Sequence, residues 1–219
     1  MSANPPDERS QLTPDDLRWA AQLVAEALAP ALDRDWHVRA GDLDWDVYMT
    51  LDHVVDDMGY YAVHIATRAA GPVPFLTRSV LAGDPRVPAA NLLAAVQATV
   101  AVLADVVTAV PREQRIYHAW GRSDVEGIIA MACDEILIHG DDVTRGFGLE
   151  WQPPEALCRR VLARLFPWAP VGIDIWSALR WANGRTALQG YPRLGPDWRW
   201  QAAPIAEWDG EIKKALVDA

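Results

Sequence analysis

The stretch Cys133-Asp-Glu135-Ile-Leu-Ile-His139-Gly-Asp-Asp142 concentrates more reactive side chains than any other part of the chain. Glu135 and His139 are four residues apart, which on an α-helix places them one turn apart on the same side. On a wheel turning ~100° per residue, Val125, Ile129, Ala132, Ile136, Val143 and Phe147 point within about 40° of one direction. His139 lies inside that apolar arc and Glu135 at its edge. Turning a carboxylate and an imidazole toward a core is costly unless something pairs with them, and a divalent cation satisfies both at once. A plain Glu-His hydrogen bond and a rim position in water are the alternatives, because Glu-x-x-x-His is a short pattern.

A third ligand must come from elsewhere, and the other histidines are His37, His53, His64 and His118. His37 and His118 stand in loop-like text beside Trp36 and Trp120. His53 and His64 share a helix, eleven residues apart, which is about 16 Å along the axis and too far for one ion. Only one of them can join Glu135 and His139. His53 points away from the Val47-Leu51-Val54-Met58 stripe of its helix, alongside Met49, Tyr60 and His64, so it is either exposed or part of a second packed face. Asp142 follows His139 by one turn and is placed either to orient that ring or to sit in solvent near a helix end. Arg180 and Arg185 could clamp an anionic substrate such as a dicarboxylate, or make surface pairs. Tyr60 and His64 could reach a pocket lining. No Gly-rich phosphate loop, Gly-x-Ser-x-Gly or Cys-His pairing is present, so nucleotide binding and serine or cysteine hydrolysis have no support.

The elements that must position these groups read as helices. Thr13-Pro14-Asp15-Asp16 is an N-cap, a proline at the first helical position and two acids on the positive end of a dipole. The helix runs through Leu17, Ala21, Val24 and Leu28 to Pro30. A polar loop to Asp44 precedes a long amphipathic helix from about Trp45 to Ala69, stopped by Gly71-Pro72. Residues 71–88 read as a long crossover. Pro88 opens a third helix, apolar all round its wheel and so expected to be buried on most sides, which Pro111 ends. Ser123-Asp-Val-Glu126 is a capping-box pattern for the fourth helix, running to about Phe147. Pro153-Pro154-Glu155 starts a fifth, with Leu157, Val161 and Leu165 on one face, and Asp174 to Asn183 forms a sixth, capped by Gly184. Residues 185–209 read as coil or a small hairpin around Trp198-Arg-Trp200.

Composition narrows the partners. The 219 residues are 51% apolar and 23% charged, with a formal net charge of −10, and a pI near 4.9. That field repels phosphate backbones and anionic lipid, which argues against nucleic-acid and membrane partners. No apolar run approaches the ~20 residues of a spanning helix, and the N-terminus lacks the pattern of a signal peptide, so a cytoplasmic location is expected. A chain of this length buries enough surface to fold without a metal staple, so a metal would serve function. Cys133 and Cys158 have no zinc-finger or disulfide grammar and are expected to be buried thiols. Eight of the eleven tryptophans lie at or beyond Trp120, so the two halves of the chain are built differently.

Taken together, Leu51-Asp-His53, Asp134-Glu135-x-x-x-His139-x-x-Asp142, Leu179-Arg-Trp-Ala-Asn-Gly-Arg185 and Trp198-Arg-Trp200 resemble the mycothiol-dependent maleylpyruvate isomerase-like branch of the DinB superfamily. The wider superfamily more often has His where this chain has Glu135, which favours that branch. The resemblance implies an all-α fold. Residues 1–150 would form a DinB-like metal-binding four-helix bundle, and residues 151–219 a helical and irregular Trp-rich extension packed on it. It implies one divalent metal, zinc before others, held by His53, Glu135 and His139. Three ligands leave a position open, which marks a catalytic rather than a structural site. The resemblance fills that opening with the thiol of mycothiol, acting on a small electrophilic substrate as an isomerase or thiol S-transferase. Metal-hydroxide chemistry without a thiol, and a helical bundle that has lost catalysis, are the competing expectations; a homodimer is left open.

Overall fold

The computed structural model describes residues 11–68, 70–73 and 87–214. Most of the expected crossover at 71–88 lies outside them. Among the described residues the chain is all-helical, with six α-helices and no strand beyond four isolated bridges.

Helix α1 (Pro14–Leu28) begins where its sequence says it should. Asp16 reaches back to accept from the Thr13 backbone N–H at 2.9 Å, which satisfies one of the donors a helix start leaves unpaired. Helix α2 (Val47–Thr67) is capped by Asp46, whose side chain accepts from Met49 N–H, and it ends at Arg68 in the left-handed region (φ 51°). It is therefore two residues shorter at each end than the periodicity suggested. The loop before α2 is not simply polar: Trp36 and Ala40 are buried in it, and the Trp36 indole donates to the Ala31 carbonyl at 2.9 Å.

Helix α3 (Ala89–Thr108) overturns two expectations. Leu92, Leu93, Val96, Val100, Leu103 and Val107 are buried, but Ala94, Ala98, Ala101 and Val102 face outward, so only one side is covered. An outward alanine exposes little apolar area while being the best helix former, which makes such a face inexpensive. Also, α3 is 20 residues long with a mean hydropathy of 1.8, long and apolar enough to cross a membrane by length and composition. Asn91, Gln97 and Asp105 interrupt its apolar runs, so a search for uninterrupted runs passes over it. Its buried side packs on α1 and α2.

Helix α4 (Val125–Gly146) is capped by Asp124, accepting from Gly127 N–H at 2.7 Å, rather than by Ser123. Ser123 is held in a backbone bridge with Ile116 instead. Helix α1 packs on α3 and α4, and α2 packs on the same two, which closes a ring of four helices around the core. Leu17, Leu51, Met58, Leu103 and Ile128 are essentially inaccessible there, each contributing about 1.5–3 kcal/mol. Gly140 sits at a close approach between α4, α1 and Trp151. A Cβ at that position would meet Trp151 at 2.7 Å and Val24 at 2.8 Å.

Helix α5 (Glu155–Leu165) buries Leu157, Val161 and Leu165 against α4, and α6 (Ile175–Ala182) packs on α5. Gly184, at φ 66°, donates to the Trp181 carbonyl as the αL residue that ends α6. Arg164 of α5 is fully buried. It donates to the Gln201 carbonyl and to Asp124, both at 2.8 Å, while Gln201 N–H returns a bond to Leu165. One guanidinium thereby ties the C-terminal segment to the start of α4 and seats Trp200.

Candidate metal centre

His53 leaves α2 and Glu135 and His139 leave α4 toward a common point. One donor atom from each lies within 4.8 Å of the other two. Nε2 of His139 is 3.1 Å from Glu135 Oε2, and Nε2 of His53 is 3.9 Å from the same oxygen. The two rings meet edge to face with centroids 5.2 Å apart. The second face that His53 needed is therefore real, and it packs on α4. Trp45 covers the pair from outside, 5.0 Å from the His53 ring and 6.5 Å from the His139 ring.

Asp142 is completely buried and lies 3.2 Å from His139 Nδ1. Its other partner is Arg185, which donates to both carboxylate oxygens at 2.8–3.1 Å. The chain Arg185–Asp142–His139 keeps the His139 proton on Nδ1 and leaves Nε2 facing Glu135, the orientation a metal ligand requires. Burial acts to lower the His139 pKa. In the metal-free site, however, Asp142 and Glu135 outweigh burial and raise it to about 9. Burial also works to raise Glu135, but His139, His53 and Arg185 hold it below the usual range. His53 is depressed, mainly by burial. Two imidazole nitrogens and an ionised carboxylate converging on one point suit zinc and similar divalent ions.

These three residues edge a cavity of about 440 Å³. Asp57 lies on its α2 wall, four residues after His53, with Oδ2 3.2 Å from His53 Nε2. Burial and the nearby Glu135 charge push its pKa well up. Asp134 lies on the α4 wall, buried, accepting from the Asn183 amide at 3.0 Å and the Trp200 indole at 2.8 Å. Burial and Glu135 raise it to about 7 against those two bonds. Trp120, Trp198 and Trp200 close the far side, so the Trp-rich segment builds a wall of the cavity rather than a separate unit.

The remaining candidates separate. Tyr60 and Arg185 line the cavity, although Arg185 is engaged by Asp142. Arg180 does not line it; its Nε lies 3.1 Å from Asp141. His64 is buried away from the cavity, with Nδ1 2.9 Å from the Tyr60 carbonyl and Nε2 accepting from Val73 N–H at 3.4 Å. His37 pairs with Asp46 at the surface. Sequence reading passed over Asp57 and Trp45; it weighed His118 only as a third ligand standing in a loop, and the structure places it on the cavity wall. Asp57 was open to discovery, because it repeats behind His53 the four-residue spacing of Glu135 and His139. Comparison with protein-family models, curated proteins and solved structures finds no match for this chain.

Proposed function

We propose that the chain holds one divalent metal at His53, Glu135 and His139, and that the cavity beside it is the site of a reaction on a small electrophile. The convergence of those three donor atoms at the edge of a 440 Å³ cavity is the observation that carries this reading. We further propose membership in the mycothiol-dependent maleylpyruvate isomerase-like branch of the DinB superfamily. Its four-helix bundle would correspond to residues 1–150, with residues 151–219 packed on it. The ring of α1, α3, α2 and α4 and the placement of the motif residues support that assignment.

A bound zinc ion would supply Lewis acidity, lowering the pKa of a coordinated thiol toward neutrality. The rest is done by the chain. Asp142 retains the proton on His139 Nδ1, Arg185 holds Asp142, and Trp45 screens the ligand rings from bulk water. Mycothiol is the thiol the resemblance implies, and release or retention of that thiol after addition distinguishes isomerase from S-transferase. A second reading, metal-assisted hydrolysis without thiol, is favoured by Asp57, a carboxylate beside the ligands able to accept a proton from water.

The test is turnover of maleylpyruvate and conjugation of simple electrophiles, with and without mycothiol, on metal-loaded and stripped protein. Activity that requires both metal and thiol supports the proposal. Metal-dependent turnover indifferent to thiol replaces it with the second reading, and absence of turnover favours a non-catalytic bundle. Mycothiol should also stabilise the metal-loaded protein by mass action, and the stripped protein far less.

A further inference from the structure

The middle residue of Trp198-Arg-Trp200 carries a charge that the metal centre does not use. A second cavity, of about 460 Å³, adjoins the metal cavity, and Trp120, Asn183, Arg185 and Trp198 line both. The two differ in charge. Asp56, Asp57, Asp134 and Glu135 line the metal cavity, whereas Arg185, Arg193 and Arg199 line the second, with no acidic residue beside them. Two of those cations are already paired, Arg185 with Asp142 at 2.8 Å and Arg193 with Asp42 at 3.1 Å. Arg199 has no carboxylate within ion-pair distance among the described residues, and Asp197, two residues before it, lies 3.5 Å from Lys214 instead. The Arg199 guanidinium stands over the Trp120 ring, 4.7 Å from its centroid, and Nη1 donates to the Trp198 and Pro196 carbonyls at 2.6 and 3.2 Å. Its backbone N–H donates to the Lys213 carbonyl at 3.0 Å. Nε and Nη2 have no hydrogen-bond partner among the described residues, and neither is sealed from solvent.

We propose that the second cavity binds a carboxylate of the substrate on the Nε–Nη2 edge of Arg199. The proposal rests on the metal-centred reading given above and names the substrate class of that site: a small electrophile bearing a carboxylate away from its reacting carbon. The unused edge of a guanidinium offers two parallel N–H donors, which match the two oxygens of one carboxylate and carry the compensating charge. Stacking on Trp120 and the two bonds from Nη1 hold the guanidinium plane before the ligand arrives, so little side-chain freedom is lost on binding. Because Trp120, Asn183, Arg185 and Trp198 are walls of both cavities, a single molecule can place its reacting carbon on the metal side and its carboxylate on the Arg199 side. Maleylpyruvate, with a carboxylate at each end, is of this class. The anion clamp that Arg180 and Arg185 suggested in sequence thus falls to Arg199, since Asp141 and Asp142 already hold the other two.

The experiment is ligand-observed NMR titration of zinc-loaded, full-length protein with 4-oxopentanoate and with its uncharged analogue 4-oxopentanamide, in buffer without thiol. The carboxylate is expected to bind more tightly than the amide. Arg199→Gln should weaken 4-oxopentanoate about three- to ten-fold and leave the amide unchanged, the range of one charge-assisted pair at a half-buried position. Arg199→Lys keeps the charge without the fork and should fall between the parent and Arg199→Gln. Metal content is expected to be unchanged in both variants, which also reports that they fold. Stripping the metal should alter the 4-oxopentanoate affinity by less than about two-fold, because a charge beyond the contact distance is largely screened. No binding of 4-oxopentanoate by the parent, equal affinity in Arg199→Gln, or affinity that vanishes with the metal would overturn the proposal, the last by placing the carboxylate on the ion. Inorganic phosphate binding more tightly than 4-oxopentanoate would overturn the choice of a carboxylate. The readout is binding, so it separates from the reaction. Binding through Arg199 without thiol-dependent turnover keeps this site and rejects the proposed reaction, whereas turnover of maleylpyruvate with a KM indifferent to Arg199→Gln does the reverse.

Discussion

The Asp142 carboxylate lies 3.2 Å from His139 Nδ1 and simultaneously receives the Arg185 guanidinium on both of its oxygens. Through it, a residue beyond α6 fixes the orientation of a ring on α4. Asp142→Asn keeps the shape but weakens this hold, and it is expected to lower zinc affinity about 10- to 100-fold with all three donors still present. Competition titration against a chromogenic chelator measures it; unchanged affinity would show that His139 is positioned by helix packing alone.

Arg180 and Arg185 should behave differently although they are five residues apart in sequence. Arg185→Ala leaves a fully buried carboxylate without its cation, at a cost of about 3–5 kcal/mol, the range for breaking one side of a buried pair. Arg180, whose partner is Asp141 outside the cavity, should be replaceable by Ala without loss of metal binding. Urea unfolding and metal content, measured on both variants, check the contrast.

Trp200→Phe removes the indole N–H from Asp134 while preserving an aromatic wall. A buried carboxylate oxygen then loses its partner, and the expected destabilisation is about 1–3 kcal/mol. Metal stoichiometry should not change. Equal unfolding midpoints would show that the Asn183 bond alone satisfies Asp134.

His118 gives the protein an acid-side dependence. Its folded pKa, lowered mainly by burial to about 4, lies below the unfolded value of 6.5. At neutral pH the ring is unprotonated in both states and costs nothing. As pH falls from 6.5 toward 4, the unfolded chain takes up a proton that the folded chain refuses, so stability falls, by about 3 kcal/mol at most. His118→Gln should remove that part of the slope, as read from chemical denaturation between pH 7 and 4.

How much of this was legible in the sequence follows from the range of the interactions. Thr13-Pro14-Asp16, Gly184 and the Leu157-Val161-Leu165 face are local signals, and α1, α5 and the end of α6 follow them. The cap of α4 was misplaced by one residue because Ser123 and Asp124 are both good caps, and the choice is made by the Ile116 bridge, which no local pattern encodes. Glu135 and His139 shared a helix and were visible as a pair. His53 joined them only through the motif resemblance, since its own stripe pointed elsewhere and packing of α2 on α4 supplies its second face. His118, Trp200 and Asn183 converge on the cavity from three distant stretches, through the buried Arg164 and the Asp134 bonds, and pairwise spacing could not have shown it.

The most direct measurement is elemental analysis of purified protein by inductively coupled plasma mass spectrometry, on the parent and on His53→Ala, Glu135→Ala, His139→Ala, His37→Ala and His118→Ala. The expected result is close to one divalent metal per chain in the parent and in the last two variants, with strong loss in the first three. Full occupancy in Glu135→Ala would contradict the metal centre.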